Sequence, residues 1–137
     1  MVWWRLTAQV RLLLDTHVFL WWNEGSPSLS RRAQNALSST ENKLFLSVVS
    51  SWEIILKVQA GKLKLPAAAA VYIPARLTHY GIESLPLTLA HVLAAETLPA
   101  HHRDPFDRIL VAQGQVERLP IVTHDPQIQK YGVETFW

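Results

Sequence analysis

Short runs of apolar residues alternate with longer amphipathic segments along the chain. Four runs predict buried strands, at residues 10–14, 44–47, 82–85 and 119–123. The remaining segments predict helices at residues 16–23, 31–39, 48–60, 67–79, 88–98 and from residue 105 onward. Strands and helices that alternate in this way form a parallel sheet with helices on both faces. The pattern therefore predicts an α/β fold.

Residues with special backbone preferences mark the ends of several predicted elements. Ser30 is placed to cap the helix that follows it, and Gly61 is placed at the end of the helix over residues 48–60. Pro105 occupies the first helical position that proline prefers. Pro120 indicates that the last predicted strand begins after it, because proline lacks the N–H that a sheet requires.

The chain contains four aspartates, and each falls at the end of a predicted element. Asp15 directly follows the first strand, and Asp125 follows the last predicted strand by two residues. Asp104 and Asp107 lie in the first turn of one helix, and Glu53 lies early in the helix after the second strand. Because parallel strands end at the same edge of a sheet, we expect these carboxylates to converge.

Converging carboxylates repel one another and are costly to desolvate, so such an arrangement favours a bound cation. Magnesium and manganese (Mg2+ or Mn2+) prefer oxygen ligands and keep several waters, which suits a few acids. The chain has no cysteine, and its six histidines show no convincing metal-ligand spacing. One ion, or two ions about 4 Å apart, would stabilise charge on a phosphoryl oxygen and orient the leaving group.

Each acid taken alone also has a structural interpretation. Ser50 and Glu53 have the spacing of a capping box, in which the glutamate satisfies a backbone N–H at a helix start. Asp104 and Asp107 have the same spacing, and Asp125 precedes a proline as a cap would. The metal-site hypothesis therefore depends on the whole set of acids.

The composition is that of one globular domain. The chain has 137 residues, of which 49% are hydrophobic and 18% charged. The absence of cysteine excludes disulfides and thiol nucleophiles and suits a cytoplasmic protein. The net charge of +2 permits a nucleic-acid partner without requiring one. No apolar run is long enough for a membrane span. Residues 1–10 are interpreted as an N-terminal extension, not a signal peptide, and residues 11–137 as the domain.

Four sequence blocks resemble the motifs of VapC-type PIN domains, and they occur in that family's order. The blocks are residues 12–22 (LLLDTHVFLWW), 47–65 (SVVSSWEIILKVQAGKLKL), 102–108 (HRDPFDR) and 120–125 (PIVTHD). The resemblance covers the chain from about residue 11 to its end. It implies a three-layer PIN-like fold, with a central parallel sheet and helices on both faces.

The resemblance also implies an activity and a set of partners. Members of this family use Mg2+ or Mn2+ to hydrolyse RNA as endoribonucleases, and VapC proteins are the toxins of toxin–antitoxin pairs. Matched motif by motif, the catalytic and metal-binding residues are Asp15, Glu53, Asp107 and Asp125. The implied partners are RNA, a VapB-type antitoxin whose C-terminal segment occupies the acidic groove, and a second copy of the chain in a homodimer.

Several neighbours of these acids are further candidates. Asp104 is interpreted as a cap that orients Asp107, with a further ligand as the alternative. Thr16 and Thr123 lie beside acids, where they hydrogen-bond either carboxylates and substrate or only local backbone. Arg103 and Arg108 flank the site and either contact phosphate or neutralise neighbouring acids.

Aromatic residues are the last group that bears on the site. His17 and His124 each lie within two residues of an acid, so a role in proton transfer stays open. Trp21, Trp22 and Trp52 lie on predicted helices, where packing in the core or at a subunit interface is favoured over base stacking.

Two other functions compete with the ribonuclease hypothesis. A catalytically inactive PIN-like module that binds RNA or protein is the main alternative, and the presence of all four acids argues against it. A phosphotransfer enzyme with Asp15 as nucleophile would resemble haloacid-dehalogenase-type enzymes, which need a second aspartate where this chain has His17. A dinucleotide-binding fold is disfavoured because no two glycines have G-x-G spacing.

Overall fold

A computed structural model describes residues 10–100 and 104–137, and within these ranges five strands form one parallel sheet. The strands are β1 (Arg11–Leu14), β2 (Lys43–Ser47), β3 (Ile82–Leu85), β4 (Ile121–Val122) and β5 (Thr135–Phe136). The helices are α1 (Thr16–Glu24), α2 (Arg31–Ser38), α3 (Val48–Gln59), α4 (Ala69–Tyr80), α5 (Leu89–Glu96), α6 (Pro105–Glu117) and α7 (Pro126–Gln129).

The strands are arranged in the order β3-β2-β1-β4-β5, so that β1 lies at the centre. Leu13 of β1 pairs with Phe45 of β2 on one side and with Ile121 of β4 on the other. The chain adds β2 and β3 on one side of β1 and then returns to add β4 and β5 on the other. In an open parallel sheet, the place where the strand order reverses in this way forms a crevice at the carboxyl ends of the strands.

The side chains of β1 alternate between two hydrophobic cores, one on each face of the sheet. Leu12 and Leu14 pack in the core that is covered by α1, α2, α3 and α4. Leu13 packs in the opposite core, which includes residues of α6 and α7. Because successive side chains of a strand point to opposite faces, a strand buried on both faces needs an uninterrupted apolar run. The predicted three-layer α/β fold is confirmed.

The local signals in the sequence place most element ends correctly. Ser30 caps α2, its hydroxyl accepting a hydrogen bond from the Ala33 N–H at 3.0 Å. Gly61 follows α3 with a φ of 72°, in the left-handed region that glycine tolerates. Pro105 is the first residue of α6, and β4 begins directly after Pro120.

Some elements differ from the prediction. β4 comprises only two residues instead of five, and β5 was not expected at all. The predicted helix over residues 67–79 begins at Ala69. The predicted N-terminal extension lies outside the described residues except for Val10. No helix in the described ranges combines the length and apolar character needed to cross a bilayer.

Candidate active site

The acidic residues lie at the edge of the sheet where the parallel strands end. Asp15 follows the last residue of β1, and Thr123 follows the last residue of β4, the strand next to it. Glu53 lies on α3, which begins where β2 ends. Asp125 and Asp104 are the N-caps of α7 and α6. The acids therefore adjoin the crevice that the reversal of strand order creates.

The Asp15 carboxylate is buried and held in one orientation. Only 5% of the residue is exposed. The Thr123 hydroxyl donates a hydrogen bond to Asp15 Oδ2 at 2.7 Å, and the His17 backbone N–H donates to Oδ1 at 3.2 Å. Asp15 is also the N-cap of α1, so the carboxylate lies at the positive end of a helix dipole. These contacts hold the Asp15 carboxylate in one orientation, in which it can bind a cation.

Thr123 connects two of the predicted ligands. Its hydroxyl donates to Asp15 and accepts a hydrogen bond from the Asp125 N–H at 3.0 Å. Asp125 Oδ1 in turn accepts from the Gln127 N–H at 2.8 Å, which caps α7. The Thr123 side chain is fully buried. A single hydroxyl thus fixes the position of Asp15 relative to the loop that carries Asp125.

Thr16 makes a different contact from the one that its position beside Asp15 suggested. Its hydroxyl donates to the Ser50 hydroxyl at 2.8 Å, and both groups are buried. This hydrogen bond joins the first turn of α1 to the first turn of α3. It fixes the distance between the helices that carry the first two predicted ligands.

Glu53 is buried and forms an ion pair with a lysine side chain. It is 6% exposed, and its Oε2 atom lies 3.2 Å from the Nζ atom of Lys57, four residues later on α3. The capping-box interpretation of Ser50 and Glu53 is wrong, because α3 begins at Val48 with Ser47 as its N-cap. A glutamate placed beyond the first turn and turned inward has no capping role.

Lys57 is a functional candidate that the sequence analysis missed. The signal was present, because a glutamate and a lysine four residues apart lie on the same face of a helix. Lys57 also lines the cavity beside the site and is about one third exposed. Its ammonium group is therefore close both to a buried carboxylate and to solvent.

Asp107 has the strongest electrostatic perturbation of the acids. Burial raises the pKa of its carboxyl to about 8, and repulsion by Asp104, Asp15, Glu53 and Asp125 contributes in that order. Four other carboxylates are therefore close enough to destabilise a charge on Asp107. The convergence expected from the sequence is present in the structure.

Burial also raises the pKa of Asp15. The hydrogen bonds from Thr123 and the His17 N–H, together with the His17 imidazole, lower this pKa, whereas Asp125 raises it. The imidazole Nδ1 atom lies 3.9 Å from Asp15 Oδ1. Even so, the net shift is upward, so hydrogen bonds alone do not compensate for burying this charge.

The proposed ligands are all carboxylates, and Mg2+ and Mn2+ prefer oxygen ligands. Within residues 10–100 and 104–137, no three Asp, Glu or His side chains are arranged to hold a metal ion by themselves. Mg2+ and Mn2+ commonly bind one or two carboxylates directly and keep several waters. A set of all-oxygen ligands that repel one another in the metal-free state suits such an ion.

Asp104 and Arg108 have clear structural roles. Asp104 caps α6, its Oδ1 atom accepting from the Phe106 N–H at 2.9 Å. The Arg108 guanidinium donates to the backbone carbonyls of Ala95, Leu98 and Pro99 at 2.9–3.2 Å. Arg108 therefore anchors the segment that precedes α6, and its phosphate contact stays a prediction. Arg103 lies outside the described residues.

Two cavities flank the acids. One, of about 320 Å³, is lined by Glu53, Lys57, Asp104 and Phe106. The other, of about 330 Å³, is lined by Asp15 and Asp125. A larger cavity of about 500 Å³ opens near Trp22 and Tyr80, at the start of β2, and none of the described residues that line it is a carboxylate. We assign the site to the edge of the sheet where the acids lie, because the carboxylates and the groups that contact them come together there.

The raised pKa of Asp107 makes the stability of the metal-free protein depend on pH. The folded state holds a proton on Asp107 between the ordinary carboxyl pKa of 3.8 and about 8, whereas the unfolded chain does not. This contribution to stability is fully present below the lower value and is lost as the pH rises through about 8. In EDTA we expect Asp107→Asn to raise the unfolding temperature by about 3 °C or more at about pH 9, equivalent to about 1 kcal/mol.

At about pH 5 the same variant should unfold at nearly the wild-type temperature, because Asp107 is then protonated. Thermal unfolding followed by circular dichroism at both pH values tests this. Glu134→Gln, at an exposed position, is the control. An equal effect of Asp107→Asn at both pH values, or a loss of stability at about pH 9, would contradict the assignment.

Solved structures show the same fold. VapBC2 from Rickettsia felis, bound to a DNA fragment from its promoter, aligns with 92% of this chain and 96% of its own, at 14% identity and a TM-score of 0.68. FitAcB from Neisseria gonorrhoeae aligns over the same shares, at 20% identity and a TM-score of 0.64. A toxin–antitoxin complex from Klebsiella pneumoniae aligns with 83% of this chain and 86% of its own, at 16% identity and a TM-score of 0.56.

Sequence comparison gives the family. A segment of 55 residues is 34% identical to ribonuclease VapC16 from Mycobacterium tuberculosis and comprises 40% of this chain. The match spans 39% of that protein's length. The PIN domain family matches residues 12–134, which include most of β1, the seven helices of the described ranges and every predicted acidic ligand. The chain therefore belongs to the PIN domain family.

Proposed function

We propose that this PIN domain is a metal-dependent endoribonuclease of the VapC type, which hydrolyses RNA phosphodiester bonds as the toxin of a VapBC-type pair. The observation that carries the proposal is the convergence of Asp15, Glu53, Asp104, Asp107 and Asp125. Burial raises the pKa of Asp107 to about 8, and repulsion by the other four carboxylates contributes. The similarity to ribonuclease VapC16 supports RNA as the substrate. The proposed location is the cytoplasm.

Asp15, Glu53, Asp107 and Asp125 are the proposed ligands of Mg2+ or Mn2+. A bound divalent cation would stabilise the negative charge that develops on the phosphate oxygens during hydrolysis. Asp104 orients the start of α6, and with it Asp107, by capping the helix. Thr123 orients Asp15, and the Thr16–Ser50 hydrogen bond keeps α1 and α3 together.

Two lysines are the proposed contacts for the RNA backbone. Lys57 and Lys62 line both the cavity beside Glu53 and an adjoining cavity that reaches His17. An ammonium group binds phosphate as a point charge and needs no fixed geometry. Lys57 can alternate between Glu53 and a phosphate, whereas the Arg108 guanidinium donates to three backbone carbonyls.

The proposed protein partners are a VapB-type antitoxin and a second copy of the chain. The VapBC2 structure and the Klebsiella pneumoniae toxin–antitoxin complex support the antitoxin. The homodimer is supported by an apolar stripe on α5, where Leu89 is 72% exposed and Leu93 is 56% exposed. Val92 completes the stripe at helical spacing. An exposed patch of this kind is typical of a protein interface.

Asp15→Asn should abolish metal-dependent RNA cleavage. Asparagine caps helices as well as aspartate does and keeps an oxygen that can accept from Thr123, so we expect the variant to fold. Losing a contact outside the ligand set commonly lowers activity 10–100-fold, so losing a ligand should lower it by about 100-fold or more. Cleavage of an RNA oligonucleotide in Mg2+ or Mn2+ measures the effect.

Glu134→Gln serves as the control for a lost carboxylate on the surface. The catalytically inactive alternative requires that the wild-type chain bind RNA without cutting it under the same conditions. Full activity in excess EDTA, or in Asp15→Asn, would contradict the proposed mechanism.

Thr123→Val tests the positioning of Asp15. Valine has nearly the same shape as threonine but lacks the hydroxyl that links Asp15 to the Asp125 N–H. We expect kcat to fall about 10–100-fold, as for other groups that orient metal ligands. Thr123→Ser retains the hydroxyl and should stay close to wild type. Equal activity of the two variants would show that the hydrogen bond has no functional role.

The apolar stripe on α5 gives a test of the homodimer. We expect the double variant Leu89→Lys, Leu93→Lys to weaken self-association by about 10-fold or more, since burying one such side chain contributes about 1.5–3 kcal/mol. Sedimentation equilibrium measures the dissociation constant. Val71→Lys, at an apolar position on α4 that is 64% exposed, is the matched control. A larger effect of Val71→Lys would move the interface away from α5.

A further inference from the structure

Four aromatic rings form a continuous row beside the acidic residues. The His17 ring lies 5.9 Å from Trp21, and Trp21 lies 6.0 Å from Trp137 in an edge-to-face arrangement. The His124 ring lies 4.9 Å from Trp137, tilted by 31°. The row extends from α1 to the loop after β4. Both tryptophans pack against the hydrophobic core, and both histidines lie at the surface.

The cavity of about 330 Å³ opens between the two ends of this row. His17, Trp21 and His124 line it together with Asp15 and Asp125. The His17 side chain is 55% exposed, so its ring is accessible to a bound molecule. An aromatic surface therefore borders two of the proposed metal ligands directly.

A second cavity continues from this one toward Lys57 and Lys62. It is also lined by His17 and Trp21, so the two cavities share a wall. The two lysines supply positive charge along this path, and the rings supply stacking surfaces at its end. Alternation of cationic groups with aromatic rings is typical of surfaces that bind single-stranded nucleic acid.

We propose that the cavity between His17 and His124 binds an unpaired nucleobase of the RNA, adjacent to the phosphate that is cleaved. This inference rests on the proposed ribonuclease function and adds a substrate subsite to it. The base stacks on the His124 ring, with the His17 ring at the opposite wall. Trp137 packs against the His124 ring, and Trp21 packs against the His17 ring and also lines the cavity.

The chemistry of the cavity favours a base over other occupants. A phosphate between Asp15 and Asp125 is covalently linked to a nucleotide that must lie within a few ångströms, and the aromatic cavity is at that distance. A base in a duplex has both faces covered by its neighbours, whereas an unpaired base can enter and stack on aromatic side chains. Two carboxylates at the wall disfavour acidic peptide side chains.

Variants of His124 separate stacking from proton transfer. With a single-stranded RNA oligonucleotide, we expect His124→Ala to raise KM about 5–100-fold with little change in kcat, because stacking of one base contributes about 1–3 kcal/mol. His124→Phe retains an aromatic face and should keep KM close to wild type. His79→Ala is the matched control, since His79 also packs on an aromatic ring, Tyr80, but lies at the opposite edge of the sheet.

An abasic substrate locates the contact. When the nucleotide next to the mapped cleavage position lacks its base, wild type and His124→Ala should have the same KM. Loss of kcat in both His124→Phe and His124→Ala would indicate proton transfer and overturn the inference. An unchanged KM in His124→Ala would overturn it as well. So would weaker binding of a VapB-type peptide by His124→Ala with an unchanged KM for RNA.

Binding without cleavage distinguishes this inference from the proposed function. Fluorescence anisotropy with the same oligonucleotide in EDTA measures affinity in the absence of metal. If wild type binds but does not cut when Mg2+ or Mn2+ is restored, the proposed catalysis fails, and weaker binding by His124→Ala still supports the base subsite. If wild type neither binds nor cuts RNA, both proposals are overturned.

Discussion

Burial of several carboxylates close together at one edge of the sheet is the constraint on which the rest of this site depends. Burial opposes a charge on Asp15 and on Asp107. Asp125 adds to the penalty on Asp15, and four neighbouring carboxylates add to the penalty on Asp107. The fold offsets part of the penalty on Asp15 with the Thr123 hydroxyl and the positive end of α1, and the Lys57 ammonium lies 3.2 Å from the Glu53 carboxylate. The remaining repulsion is what a cation would relieve. The metal-free protein is therefore less stable than it would be with uncharged side chains of the same shape at these positions.

The parallel sheet explains why capping and chemistry coincide in this domain. β1, β2 and β4 all end at this edge, and each is followed by a helix that begins there, so a polar cap and a proposed metal ligand can occupy the same position. Asp15 and Asp125 cap α1 and α7 while their carboxylates face the site. Asp104 likewise caps α6. For these residues the capping interpretation is confirmed, and it is compatible with the proposed metal-binding role.

Much of the fold could be predicted from the sequence because β1 and its neighbours are encoded locally. The apolar run before Asp15 is buried on both faces, and Ser30 and Pro105 mark the starts of α2 and α6. β5 could not be predicted, since two residues show no period and the strand exists only by pairing with β4. The capping box at Ser50 was wrong because Ser47, three residues earlier, already caps α3.

The acids of the candidate site could be predicted from the sequence. The groups that form hydrogen bonds or ion pairs with these acids were harder to predict. Aspartates at strand ends are visible in the sequence, whereas the hydrogen bond from Thr123 to Asp15 joins residues 108 positions apart. Arg108 donates hydrogen bonds to the backbone carbonyls of Ala95, Leu98 and Pro99, and the sequence does not show that these carbonyls lie within its reach. The aromatic row likewise joins Trp21 of α1 to Trp137 after β5, residues far apart in the chain, so neither tryptophan shows its role in the sequence.

The most direct test of the central claim is anomalous diffraction from crystals soaked in Mn2+. If the carboxylates form a metal site, the anomalous density will lie between Asp15 and Asp107, with Glu53 and Asp125 as direct or water-mediated ligands. The Thr123–Asp15 hydrogen bond should persist in the loaded protein. Density only at surface carboxylates, or none at this edge at millimolar Mn2+, would contradict the account.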